Sequence, residues 1–220
     1  MTKPSNTGLM GAVVAESSIA DVSGEHISLA YRGYDIKDLC RLACFEEVAY
    51  LLLHNELPSE QQLEDFNQAI TSQRNIPQEI CDMLKYVPST ASPMDVLRTG
   101  VSLLGCLNPE DNDIVPHAIS LIAKLPYILL YWYRYHHDLD LACLENPTPS
   151  TANYFLQSLH GQSCPDEWVK ALDVSLILYA EHDFNASTFA ARVTTSTLSD
   201  YYSAICSAIG TLKGPLHGGA

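Results

Sequence analysis

From about residue 35 onward, apolar side chains return every three or four positions, the period of a helix with one buried face. Ile36, Leu39, Cys40 and Ala43 form the first such stripe behind Asp35, a good N-cap, and Phe45 to Leu53 form a second that ends at Asn55 before Pro58. Ser59 caps a third helix with Leu63, Phe66 and Ile70 on one face, and Pro77 to Val87 repeats the pattern with Ile80, Leu84 and Val87. In Ser92-Pro93-Met94-Asp95 an N-cap, a proline at the first helical position and an acidic third residue open a helix through Leu104. Val115 to Tyr135 is apolar around much of its circumference, which predicts a helix buried in a core or between subunits. A polar loop, Asn146-Pro147-Thr148-Pro149-Ser150, precedes three further helical regions. These are Thr151 to Leu159, Pro165 to His182, and Ala186 to Leu212, the last interrupted near Ser199. Only the opening lacks the helical period, with short strands predicted around Gly11 to Ala15 and His26 to Tyr31. Tyr31-Arg32-Gly33-Tyr34-Asp35 reads as a turn into the first helix. No internal repeat is present, which argues against a solenoid. The predicted fold is mostly α: an N-terminal segment over 1–34, then a helical domain over 35–220.

Composition narrows the partners more than the fold. Hydrophobic residues make up 47% of the 220 positions, enough for an ordinary core. Twelve basic against twenty-six acidic residues give a net charge of −14, which repels phosphate backbones and anionic lipid, so neither nucleic acid nor membrane is expected as a partner. The most apolar stretch, Leu121 to Tyr133, is interrupted by Lys124 and Pro126 and reads as too short to cross a bilayer. Lys3 followed by Gly8 to Ala15 is too weak for an export signal. Seven cysteines, an odd number without a Cys-x-x-Cys pair, read as reduced thiols of a cytoplasmic protein. Cys40 and Cys44 would share a helix face, but no second pair of metal ligands follows.

Two segments carry candidate chemistry. In Gly214-Pro215-Leu216-His217-Gly218-Gly219-Ala220, Gly214 can supply a left-handed turn, Pro215 stops the helix, and two glycines keep bulk away from the His217 imidazole. The apolar helix ending at Ala180 delivers Glu181-His182-Asp183-Phe184-Asn185. There His182 and Asn185, three apart, can converge on one ligand, while Asn185 or Ser187 caps the next helix and leaves backbone N–H groups for a carboxylate. One helical region separates His182 from His217, so both can face one cleft and polarise carbonyl oxygens as neutral donors. The structural reading of the same residues is a helix-ending turn and a pair of caps. Other histidines say less. His136-His137-Asp138 is a weak metal candidate, because adjacent helical residues point in different directions, and His54 and His160 sit at helix ends where a cation suits the dipole. Arg98 and Ser102 read as the polar side of their helix.

Taken together, Tyr31-Arg32-Gly33-Tyr34-Asp35, Phe45-Glu46-Glu47-Val48-Ala49, Ser92-Pro93-Met94-Asp95-Val96, the run from Ala180 to Phe189 and Gly214 to Ala220 resemble the citrate synthase family, nearest to its 2-methylcitrate synthase branch. The resemblance spans nearly the whole chain. It implies a multi-helical large domain, a smaller domain that closes over acyl-CoA and is absent here, and a homodimer using the apolar helix before His182. It further implies condensation of propionyl-CoA or acetyl-CoA with oxaloacetate, followed by thioester hydrolysis, with the CoA thioester as substrate and no metal or redox cofactor. Residue by residue, His217 matches the catalytic histidine that donates to the thioester carbonyl, His182 the one that binds the ketone of oxaloacetate, and Asn185 a substrate-contacting asparagine. The family's proton-removing aspartate, a further histidine and the arginine clamps would lie beyond Ala220, so the expectation for this polypeptide alone is no turnover. Two other classes remain open at this point: a metal-dependent helical phosphohydrolase built on His182-Asp183 and His137-Asp138, and an inert helical interaction protein.

Overall fold

A computed structural model describes residues 15–23, 28–108 and 113–217. The expected strand at Gly11 to Ala15 lies almost wholly outside them, as do Gly218 to Ala220. Strands β1 (Ala20–Ser23), β2 (Ser28–Tyr31) and β3 (Tyr34–Asp35) form an antiparallel sheet in that order, with Ala20 opposite Tyr31 and Tyr31 opposite Tyr34. Thus the predicted turn into a helix is first a tight hairpin. Arg32 and Gly33 both take positive φ, +49° and +86°, as a two-residue hairpin turn demands; glycine does so freely, and Arg32 is held there through its guanidinium on Ser18. Strand β1 escaped the sequence reading because four residues carry too little alternation to register.

Ten α-helices follow among the described residues: α1 (Ile36–Leu42), α2 (Phe45–His54), α3 (Glu60–Ser72), α4 (Gln78–Tyr86), α5 (Pro93–Leu107), α6 (Ile114–His136), α7 (Thr151–His160), α8 (Asp166–Tyr179), α9 (Ala186–Ser196) and α10 (Tyr201–Leu212). A single 3₁₀ turn, Ala142–Glu145, precedes α7. Most of the caps lie where the side-chain chemistry placed them. Asp35 accepts from the Lys37 amide at 2.7 Å, Ser59 and Gln62 form a reciprocal box, and Asn55 closes α2 at φ +70°. Three details differ. Ser92 occupies the N-cap of α5 but its side chain makes no capping bond. Cys40 lies in α1 while Cys44 is the N-cap of α2, so the two share no helix face. Helix α8 stops at Tyr179, short of His182.

Helix α6 is the axis of the main core. Leu121, Ile128, Leu130 and Trp132 are buried against Ile80 and Leu84 of α4 and Val101 and Leu104 of α5. Its 23 residues correct the sequence reading: by length and composition the helix is able to cross a bilayer. Lys124 and Pro126 sit inside it without ending it, and its partners are protein side chains. A second core gathers Tyr31, Ile36, Leu39, Val48, Leu51 and Ile177, and so ties the sheet to α8.

Buried charges act as tertiary caps. The Glu46 carboxylate on α2 accepts from the Thr151 amide at the start of α7 at 2.7 Å, and Asp173 on α8 accepts from the Phe45 amide at the start of α2 at 2.9 Å. At the opposite polarity, the buried Arg134 guanidinium covers the last carbonyls of α7, Ser158 and Leu159. Each ionic group therefore meets backbone dipoles of opposite sign, which offsets its desolvation.

Candidate active site at the start of helix α9

The site is assembled by α10. At Gly105 of α5 a Cβ would stand 2.8 Å from the Tyr202 Cβ, so glycine lets α10 lie directly on α5. At the far end of α10, the Lys213 ammonium bonds the Asp95 carboxylate, which also takes Arg98 at 2.9 Å. The Lys213 hydrogen bond, with Arg98 nearby, holds the Asp95 carboxyl below the usual carboxylate range.

Beyond Lys213 the chain closes a four-residue turn, in which the His217 amide donates to the Gly214 carbonyl at 2.8 Å. Gly214 is not left-handed, contrary to expectation; the positive-φ glycines among the described residues are Gly33 and Gly161. Its requirement is space, since a Cβ there would meet the Thr211 carbonyl oxygen at 3.2 Å.

This turn delivers the His217 ring to the N-terminus of α9. Its Nε2 lies 3.2 Å from the Ser187 amide nitrogen and 2.8 Å from the Ser187 hydroxyl. An amide N–H directed at Nε2 makes that nitrogen an acceptor, which leaves the ring proton on Nδ1. Asn185 is the N-cap of α9, and its Oδ1 accepts from the Thr188 amide at 2.9 Å. So the amides of the first turn are shared out within the chain: Thr188 to Asn185, Ser187 to His217. The expectation of free N–H groups there for a carboxylate is corrected for these two.

His182 lies in the segment between α8 and α9, is exposed, and takes no part in that bonded set. The segment bends at Asp183, φ +50°, an uncommon conformation for a residue with a Cβ. Phe184 anchors one side beneath the Arg192 guanidinium, 4.9 Å from ring centroid to cation. The other side is anchored by Tyr31, whose buried hydroxyl lies 3.0 Å from the Ile177 and Glu181 carbonyls and 3.2 Å from that of Leu178. Glu181, at this junction, is pushed up by burial. The structure thus brings His217, Ser187 and Asn185 to one helix end, with His182 three residues upstream of the cap.

The remaining candidates resolve into structural roles. His54 stacks on Tyr50, His160 meets Trp168, and His117 bonds the Tyr202 hydroxyl at 3.0 Å. His136 and His137 reach different backbone carbonyls, Leu84 and Tyr133. Among the described residues no three His, Cys, Asp or Glu side chains stand together as a metal site. The seven cysteines are free thiols, and burial pushes Cys44 up to about 12. A cavity of about 740 Å³ between α3 and Pro147 and Pro149, and one of about 240 Å³ beside Cys143, lie away from all three candidate residues.

One histidine is thus held by its Nε2 at a helix N-terminus, and a second stands just before that helix. The sequence profile described as "Citrate synthase, C-terminal domain" matches residues 8–220, and the chain belongs to the citrate synthase family. It is 46% identical to the 2-methylcitrate synthase of Shewanella oneidensis, over 99% of this chain and 59% of that protein. It is 42% identical to citrate synthase 2 of Bacillus subtilis, over 97% of this chain and 58% of that one. Citrate synthase from Thermotoga maritima superposes with a TM-score of 0.87 at 37% identity, over 97% of this chain and 57% of that one. A citrate synthase from Thermoplasma acidophilum, solved in ternary complex with carboxymethyl coenzyme A and oxaloacetate, superposes at 0.88 with 29% identity, over 99% of this chain and 58% of that one. The chain therefore spans a little under three-fifths of the length of these relatives.

Two residues that hold segments of the candidate site carried no signal in the sequence spacing. Tyr31 and Asp95 stand in recognisable segments, but nothing along the chain ties position 31 to 181 or position 95 to 213. Ser187 was legible as a cap and not as the partner of His217.

Proposed function

We propose that this chain supplies the electrophilic half of a site that condenses an acyl-CoA, propionyl-CoA or acetyl-CoA, with oxaloacetate. The observation that carries the reading is the Ser187 clamp on His217 Nε2, which leaves Nδ1–H as a fixed donor for a thioester carbonyl. As the α-proton leaves, negative charge builds on that carbonyl oxygen, and a donor already in place stabilises it without reorganising. His182, exposed at the mouth of the same helix junction, donates to the ketone oxygen of oxaloacetate and makes its carbon electrophilic. Asn185 orders the junction as the cap of α9 and borders the keto acid. The enol carbon then attacks the ketone carbon, the proton passes to the new alkoxide, and water cleaves the thioester to release 2-methylcitrate or citrate and CoA. Only proton transfers and carbon–carbon and acyl bonds change, so the reaction calls for no metal or redox cofactor. By the resemblance, the carboxylate that removes the α-proton and the cationic clamps for the keto acid fall outside positions 1–220.

The same reading makes the protein a cytoplasmic homodimer. Trp168, Leu178 and Tyr179 of α8 and Val193 of α9 are exposed, and α9 buries none of its residues within the chain. A second copy laid across these helices covers them. On this reading 35–220 is the helical large-domain portion and 1–34 a strand-bearing lead-in.

The test is CoA release with oxaloacetate and each acyl-CoA, run on the chain alone and on the chain joined in frame to the remaining C-terminal portion of the Shewanella oneidensis relative. Turnover by the joined protein that is lost in His217→Ala and His182→Ala supports the assignment. A folded, dimeric joined protein without turnover or affinity for oxaloacetate overturns it. Competing kcat/KM values decide the acyl donor; one methylene is worth about 1–3 kcal/mol, so activity with both is expected.

A further inference from the structure

The Tyr31 hydroxyl sits where α8 ends and the His182 segment begins. A helix leaves its last carbonyls without intrahelical partners, and here one phenol reaches three carbonyl oxygens, those of Ile177, Leu178 and Glu181, at 3.0, 3.2 and 3.0 Å. Its oxygen in turn lies 3.3 Å from the Glu181 amide nitrogen, which donates to it. The ring is fully buried in the small core with Leu39, Val48 and Ile177, so the position of the hydroxyl is set by packing. A hydroxyl has one proton and cannot satisfy three carbonyls at once; shared among them, it draws the helix end and the backbone of residue 181 to one point. One residue later comes His182, and at Asp183 the chain takes its left-handed bend. The His182 side chain is exposed, and it is the backbone amide of His182 that bonds the neighbouring Glu181 carboxyl. Its placement therefore depends on the backbone on either side.

We propose that Tyr31 is a positioning residue for His182, its buried hydroxyl holding the backbone from which the imidazole meets the keto acid. This rests on the reading of His182 as the ketone-binding residue. The N-terminal sheet, remote in sequence, then has a functional role: it carries the phenol to the helix junction and sets affinity for oxaloacetate without touching it.

Tyr154 provides a matched comparison. It is equally buried, and its hydroxyl donates to a single carbonyl, Leu144, at 3.1 Å, far along the chain from the junction. Tyr31→Phe and Tyr154→Phe each delete one buried hydroxyl and keep the ring. Amide hydrogen exchange of the intact chain is expected to rise about tenfold at residues 180–184 in Tyr31→Phe and to stay unchanged there in Tyr154→Phe. In the joined protein, oxaloacetate affinity should fall about 3–10-fold in Tyr31→Phe and less than twofold in Tyr154→Phe. Unchanged exchange at 180–184 in Tyr31→Phe, or equal loss of affinity in both variants, overturns the positioning role. An unsubstituted joined protein that has no affinity for oxaloacetate overturns the functional reading of His182 instead, while the exchange measurement still decides whether Tyr31 holds the segment.

Discussion

Helices α6 and α8 are both rich in apolar residues, yet they meet opposite fates. Leu121, Ile128 and Leu130 of α6 are at most 3% exposed, enclosed by α4 and α5, whereas Trp168, Leu178 and Tyr179 of α8 are 54%, 47% and 89% exposed. Apolar content alone does not say which helix will be covered by its own chain. Helix α6 finishes a core; α8 and α9 present an uncovered face and, at their junction, the candidate active site. Stability and chemistry are thus divided between two parts of one fold.

The sharpest way to test that division is to truncate equivalent side chains on each helix. Ile128→Ala, in a site where the side chain presses on Gly100, should cost about 2–5 kcal/mol in chemical denaturation. Leu178→Ala should change the stability of the isolated chain by less than about 0.5 kcal/mol and instead weaken self-association, read by analytical ultracentrifugation. Equal losses of stability would erase the contrast.

On the chemical side, His217→Ala in the joined protein should lower kcat by about 10²–10³-fold with the melting temperature unchanged, as expected for one oxyanion donor. A comparable fall in stability would return His217 to the role of a helix-end turn. Between the two regions stands Glu46, buried on α2 and accepting the Thr151 amide. Glu46→Gln, which replaces a charge-assisted acceptor with a neutral one, should cost about 1–3 kcal/mol by denaturant titration.

The smallest effect is expected at Asp95. The Lys213 hydrogen bond lowers its pKa in the folded protein, so the ion pair contributes stability that is present above the unfolded value, near ~4, and is lost as pH falls through the lower folded value. Asp95→Asn should lower stability slightly at neutral pH, match the unsubstituted chain below that window, and so flatten the acid limb of the stability profile. An identical acid limb in the variant would remove Asp95 from the support of the His217 turn.

Much of this fold is readable as a string. The helix stripes at Leu63, Phe66 and Ile70 or at Ile80 and Leu84 identify their buried faces, and Asp35, Ser59 and Asn55 mark their ends, because period and capping are local properties of a chain. Strand β1 is not readable, since four residues carry too little alternation to register even beside a neighbouring partner. Helix α6 reads over Val115 to Tyr135, one residue short of its span at each end. Only its apolar stretch reads as too short to cross a bilayer, because Lys124 and Pro126 look like interruptions and are absorbed by a helix held on several sides.

The candidate site divides along the same line. Which residues are candidates for the chemistry, His182, Asn185 and His217, follows from short-range patterns of glycine, proline and helix ends together with the family resemblance. How they are held was decided only by tertiary structure: Ser187 fixes the ring of His217, Asp95 reaches Lys213 across 118 positions, and Tyr31 reaches Glu181 across 150. Hydrogen bonds of that kind act over about 3 Å and depend on where separate helices come to rest, which no local periodicity records.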